Sequence, residues 1–196
     1  MEYELARSLR VVSAAGRRRV GLLATEAQLQ GGFDHATFTP NPEWSIVKEL
    51  KQQYDVAIVQ PDTTYPDDLD VLVVAMPSTL GQPQMDTLRQ YILGGHPVLL
   101  LDDPLPLVNP KLAPSEPGNA SDPYGGGDVA KGDASAFHAA LGISFLTSEV
   151  VFDLHNPHPA LSTLPPEFVF VDATLPGDTA FNQDDPISAG LQEVVL

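Results

Sequence analysis

Three short apolar runs, DVAIVQ at 55–60, DVLVVAM at 70–76 and PVLLLDD at 97–103, punctuate the chain between residues 42 and 104. Each is nearly unbroken. Strands of a parallel sheet read this way, because helices cover both faces. A fourth run, VGLLAT at 20–25, precedes them. Between the runs the period lengthens to that of a helix. Trp44, Val47, Leu50 and Tyr54 trace one apolar stripe over 42–54, and Met85, Leu88, Tyr91 and Ile92 trace another over 82–93. Asn41-Pro42-Glu43 predicts the first helix start: Asn caps, Pro suits the first helical position, and Glu favours the positive end of the dipole. Gly94-Gly95 predicts a left-handed stop for the second. The pattern predicts an α/β domain: a three-layer sandwich around a mostly parallel sheet.

The remaining segments are less regular. Residues 3–12 carry Leu5, Leu9 and Val12 at helical spacing and predict a short helix, joined by a connector through residue 19 to an α/β domain over 20–196. Residues 26–41 read as a loop. Only PDTTYPDDL separates 55–60 from 70–76, too little for a helical crossover, so a turn around Pro66-Asp67-Asp68 must suffice. A Pro/Gly-rich acidic insertion fills about 104–133 and predicts a loop. Residues 134–141 read as a short helix ended by Gly142, and 149–154 and 168–172 read as strands. The closing LQEVVL looks like a strand beginning, which suggests a piece of a longer protein.

Charge removes one class of function. Net charge is −16, with two basic and fourteen acidic residues in 102–196. Such a surface repels phosphate backbones and argues against nucleic-acid binding. The absence of cysteine removes disulfides, thiolate nucleophiles and Cys-ligated zinc. No apolar run is long enough to span a bilayer, and the first residues do not form a signal peptide.

Four residues qualify as candidates for a ligand crevice. In open α/β sheets ligands bind beyond the carboxyl ends of the strands. Glu26 follows the first strand, Ser78 the third, and Asp102-Asp103 the fourth. Paired carboxylates there suit Mg²⁺ or acid–base work. The plainer reading is a strand end capped by side-chain hydrogen bonding, as is common for Asp before Pro, and adjacent strand residues point to opposite faces rather than at one ion. Ser78 has no base in its neighbourhood of the sequence, so no catalytic residue is assigned. His155 and His158, with Asp153 before them, could suggest a metal; Pro157 and Pro159 favour a polar turn. His35, His96 and His138 stand isolated in the sequence, and Gly125-Gly126-Gly127 lacks the strand and the Lys-Ser/Thr ending of a phosphate loop. No metal or cofactor is predicted.

RRVGLLAT, EWSIVKELKQQYDVAIVQ, LDVLVVAMPSTL, MDTLRQYILGGHPVLLLDDP and DDPISAGLQEVVL occur in this order. The series resembles the extracytoplasmic domain of uncharacterised ABC-type transport system proteins, whose relatives include gliding-motility-associated auxiliary components. Trp44, Tyr54, Asp70 to Val74 with Pro77, Tyr91 with Gly94-Gly95, and Asp102 with Pro104 carry the likeness, chiefly over 3–104. The resemblance implies a flavodoxin-like or class I glutamine amidotransferase-like layer on the outer face of the inner membrane. It implies partnership with an ABC permease and ATPase, and membrane attachment only through segments outside this chain. It implies no catalytic residues, and an amidotransferase would need a cysteine that this chain lacks.

Three functions follow for testing. The first is a non-enzymatic binding or interaction module of a transport system. The second is a hydrolase-like enzyme using strand-end carboxylates, and the third a structural domain of a periplasmic assembly. The sequence says nothing of oligomeric state.

Overall fold

The computed structural model describes residues 16–34, 39–106, 109–118, 130–145, 149, 151–156, 158, 161–172 and 180–195. The expected helix at 3–12, His35 and the glycine run at 125–127 lie outside them. The chain divides into two compact units, residues 1–144 and 145–196.

The first unit is built on four parallel strands, β1 (Arg19–Leu23), β4 (Asp55–Val59), β5 (Val71–Ala75) and β6 (Val98–Leu101). Their spatial order is β4-β1-β5-β6. The first strand is therefore central, pairing Val20 with Val56 on one side and with Val71 on the other. The four strands expected from the apolar runs are present, each ending one or two residues early, with β1 starting one residue sooner than expected. Helix α1 (Ser45–Gln53) covers one face. Its Val47, Leu50 and Tyr54 pack with Val20, Leu22, Val73 and Ala75. Helices α2 (Gln82–Leu93) and α3 (Ala134–Ala140) cover the other. Met85, Leu88, Tyr91 and Phe137 pack there with Leu23, Val59, Leu72 and Val74. Alternate residues of β5 thus feed opposite cores, as a strand buried on both sides must. The result is the three-layer α/β sandwich predicted above.

Several local expectations are corrected. Residues 26–41 are not all loop: β2 (Gly32–Asp34) pairs antiparallel with β3 (Thr39–Asn41). Asn41 therefore belongs to this hairpin, where its Nδ2 donates to Gln28 Oε1 at 2.8 Å, and it does not cap α1. That helix begins three residues later, with Trp44 at its N-cap and 54% exposed, so Trp44 drops out of the buried stripe. At the end of α2, Gly95 has φ +88°, the left-handed turn expected of the glycine pair. The 104–133 segment holds one turn of 3₁₀ helix, Pro110–Leu112, among its described residues.

The link from β4 to β5 makes its crossover without a helix. It sends Tyr65 and Leu69 into the core beneath α2. Tyr91 Oη donates to Pro66 O at 3.3 Å, and the two tyrosine rings meet edge to face at 5.4 Å.

In the second unit, β7 (Phe170–Asp172) pairs antiparallel with β8 (Glu193–Val195). The strand expected at 149–154 does not form among its described residues.

Candidate functional site

The carboxyl ends of β1, β5 and β6 lie side by side in the sheet. The chain after each strand supplies the candidates of the sequence reading. Glu26 follows β1, Ser78 follows β5, and Asp102 and Asp103 follow β6.

Met76 turns the chain sharply after β5. It adopts φ +53°, a left-handed conformation that a non-glycine residue occupies at a cost. The turn starts the 3₁₀ segment Pro77–Thr79 and brings Ser78 inside, 1% exposed. Ser78 Oγ donates to Asp102 Oδ1 at 3.0 Å. The other carboxylate oxygen, Oδ2, lies 2.8 Å from His138 Nε2, with side chains of 9% and 8% exposure. His138 stands on α3, a helix held at its start by the Asp133 side chain accepting from Ala136 N at 2.9 Å. The structure therefore joins three elements through one buried carboxylate.

Glu26 and Asp103 do not join that carboxylate. The Glu26 N–H donates to Thr79 Oγ1 at 3.4 Å. Beside it, Thr25 Oγ1 donates to Ala75 O at 2.6 Å and ties the ends of β1 and β5 together. Asp103 is exposed and its Oδ1 accepts from Leu105 N at 2.9 Å, a local turn contact. The adjacent aspartates thus serve different surroundings, one inside and one in solvent. Lys131 closes the region from the far side of the insertion. Its Nζ donates to Lys111 O at 3.0 Å and to Ala113 O at 2.8 Å. Burial lowers its pKa, against the opposing pull of Glu26 and Glu116.

The order of the three polar groups decides what they can do. A serine nucleophile needs an imidazole base between itself and the carboxylate. Here the carboxylate lies between hydroxyl and imidazole, so Ser78 faces an acceptor already shared with His138. Among the described residues, no group of three or more His, Cys, Asp or Glu side chains is placed to hold a metal ion. His138 was legible in the sequence only as an isolated histidine. Its partnership with Asp102 comes from the packing of α3 beside α2 on the sheet, which no local spacing encodes.

The second unit has its own imidazole–carboxylate contact. His155 Nε2 lies 2.6 Å from Asp172 Oδ2, and Asp172 is 3% exposed. Asp153 Oδ1 accepts from His155 N and Asn156 Oδ1 from His158 N, at 2.8 and 3.1 Å. These two side-chain turns give the 153–158 segment the polar-turn character read from its sequence.

Four parallel strands with helices on both faces define a three-layer α/β sandwich domain, with Ser78, Asp102 and His138 joined at its strand ends. The family model described as an ABC-type uncharacterized transport system matches residues 17–196, and the chain belongs to that family. It is an auxiliary component of an ABC-type transport system. No curated protein and no solved structure matches it. No described helix is long and apolar enough to cross a membrane.

Proposed function

We propose that this chain acts as a non-enzymatic binding or interaction module of its transport system, on the extracytoplasmic face of the inner membrane. Its partners in this reading are the permease and ATPase. The observation that carries the non-enzymatic part is the order Ser78–Asp102–His138, which gives the strand-end hydroxyl a carboxylate shared with His138 in place of the imidazole base of a serine triad. The groups that an active site would present to substrate are spent on one another. Family membership supports the transport role, and kinship with gliding-motility components rests on the resemblance of the sequence pieces alone.

Two measurements test this. Tagged protein drawn from detergent-solubilised membranes of its native host should carry the permease and ATPase with it; recovery without either sinks the partnership. The chain has no cysteine, so a single Leu93→Cys, at an exposed helix end, reports its side of the membrane. A membrane-impermeant maleimide should label it in intact cells. Labelling only after lysis would place the domain inside.

A further inference from the structure

We infer that residues 151–154 of the second unit form a docking edge for an extended segment of another protein, one that alternates apolar side chains with Lys or Arg. The inference rests on the interaction role proposed above and names a surface for it.

The sequence around this segment, EVVFDL, has the alternation of an amphipathic strand. In strand geometry Phe152 and Leu154 share one face, and Val151 and Asp153 the other. The described residues supply no strand to pair with it. Val151, Phe152 and Leu154 are 68%, 63% and 92% exposed. Asp153 N donates to Pro166 O at 2.8 Å, which fastens the segment to its own unit at that residue. Neither Phe152 nor Leu154 donates its amide within the described residues. The segment thus combines strand-forming residues, unspent backbone donors and bare apolar side chains. Those are the properties by which a sheet edge takes up a partner strand.

Charge selects the partner. Residues 145–196 hold eight Asp or Glu and no Lys or Arg. A basic, alternating strand would set its apolar face against Phe152 and Leu154 and its cations toward Asp153. An acidic strand would be repelled.

Fluorescence anisotropy with the whole chain tests this, using an eight-residue peptide of alternating Lys and Val as the probe. Saturable binding is expected, at least tenfold tighter than to the alternating Glu and Val peptide. Phe152→Asp and Leu154→Asp should each weaken it at least tenfold while leaving the thermal midpoint unchanged. N-methylation of alternate peptide amides should abolish it, and this control does not depend on any variant folding. Absence of binding, or binding indifferent to N-methylation or to both substitutions, overturns the inference. So does concentration-dependent dimerisation in sedimentation velocity that Leu154→Asp removes, since a second copy would then be the occupant. Co-purification with the permease that persists after such a failure would sink this edge alone and leave the interaction role standing.

Discussion

Asp102 and His138 meet at 2.8 Å, Oδ2 to Nε2, in a site from which water is nearly excluded. Because Ser78 holds the other oxygen, one carboxylate fastens the end of β6 to α3 and to the turn after β5. Removing a single partner leaves polar groups buried without compensation. Asp102→Ala is therefore expected to cost about 3 kcal/mol in urea unfolding. Ser78→Ala, which removes one donor to that carboxylate, should cost about 1.5 kcal/mol. A loss below that for Asp102→Ala would show that the cluster does not hold the fold.

Tyr65 sets an alkaline limit. Burial first, and the charge of Asp62 second, push its pKa from 10.0 up to about 12. Folding favours the neutral phenol. Below pH 10 both folded and unfolded chains keep the proton, and stability from this group is complete. Above it the unfolded chain ionises first, so stability falls until the pH passes about 12. The loss should reach on the order of 2–3 kcal/mol. Tyr65→Phe is expected to remove that slope. The buried phenolic oxygen has no hydrogen-bond partner among the described residues, so the substitution should cost little at neutral pH. An unchanged slope in denaturation between pH 9 and 11 would contradict this.

Two glycines should fail for different reasons. A Cβ on Gly21 would sit 2.6 Å from Leu69 Cδ1 and 2.9 Å from Leu72 Cδ1, both in the core. Gly21→Ala should cost about 1–3 kcal/mol by overpacking. Gly95 has open space around it but φ +88°. Gly95→Ala should cost about 1 kcal/mol through backbone strain alone. In double-mutant cycles by urea unfolding, Leu69→Ala should lessen the cost of Gly21→Ala, with the Leu72 contact keeping part of it, and leave the cost of Gly95→Ala unchanged.

Divalent cations should not bind tightly at the strand ends. Asp102 spends its oxygens on Ser78 and His138, and Asp103 lies in solvent against Leu105 N. Two separated carboxylates fall short of the six or more oxygens that Ca²⁺ takes. Calorimetric titration with Mg²⁺, Ca²⁺ and Mn²⁺ should show nothing tighter than roughly millimolar. A micromolar site lost in Asp102→Asn would return the strand-end carboxylates to the centre of the chemistry.

The sheet was the legible part of this chain. Strands β1 and β5 announce themselves because burial on both faces leaves no room for polar residues, whereas the edge strands β4 and β6 are equally apolar in sequence yet leave Ile58, Leu99 and Leu101 exposed. The stripe Met85, Leu88 and Tyr91 gives α2 in the same way. Elsewhere a tertiary contact overrode a local signal. Asn41-Pro42-Glu43 has every mark of a helix start, yet hairpin pairing claims Asn41 and moves the start to Trp44. The candidate site was half legible. Strand ends pointed to Ser78 and Asp102, because topology rules locate such positions. His138 came from a short helix beyond the insertion, and only the closing of the third layer brings it to Asp102. The strand expected at 149–154 does not form, because a strand needs a neighbour and the described residues offer none.

The central position of β1 has a consequence in time. During synthesis VGLL emerges early, but its partners arrive only with Asp55 and Val71. Neither face of the sheet can close until β5 exists, since Leu72 and Val74 feed one core and Val73 and Ala75 the other. Such non-local pairing folds slowly. A nascent chain therefore carries its central strand unprotected until then, and a factor that shields extended apolar segments would find it there.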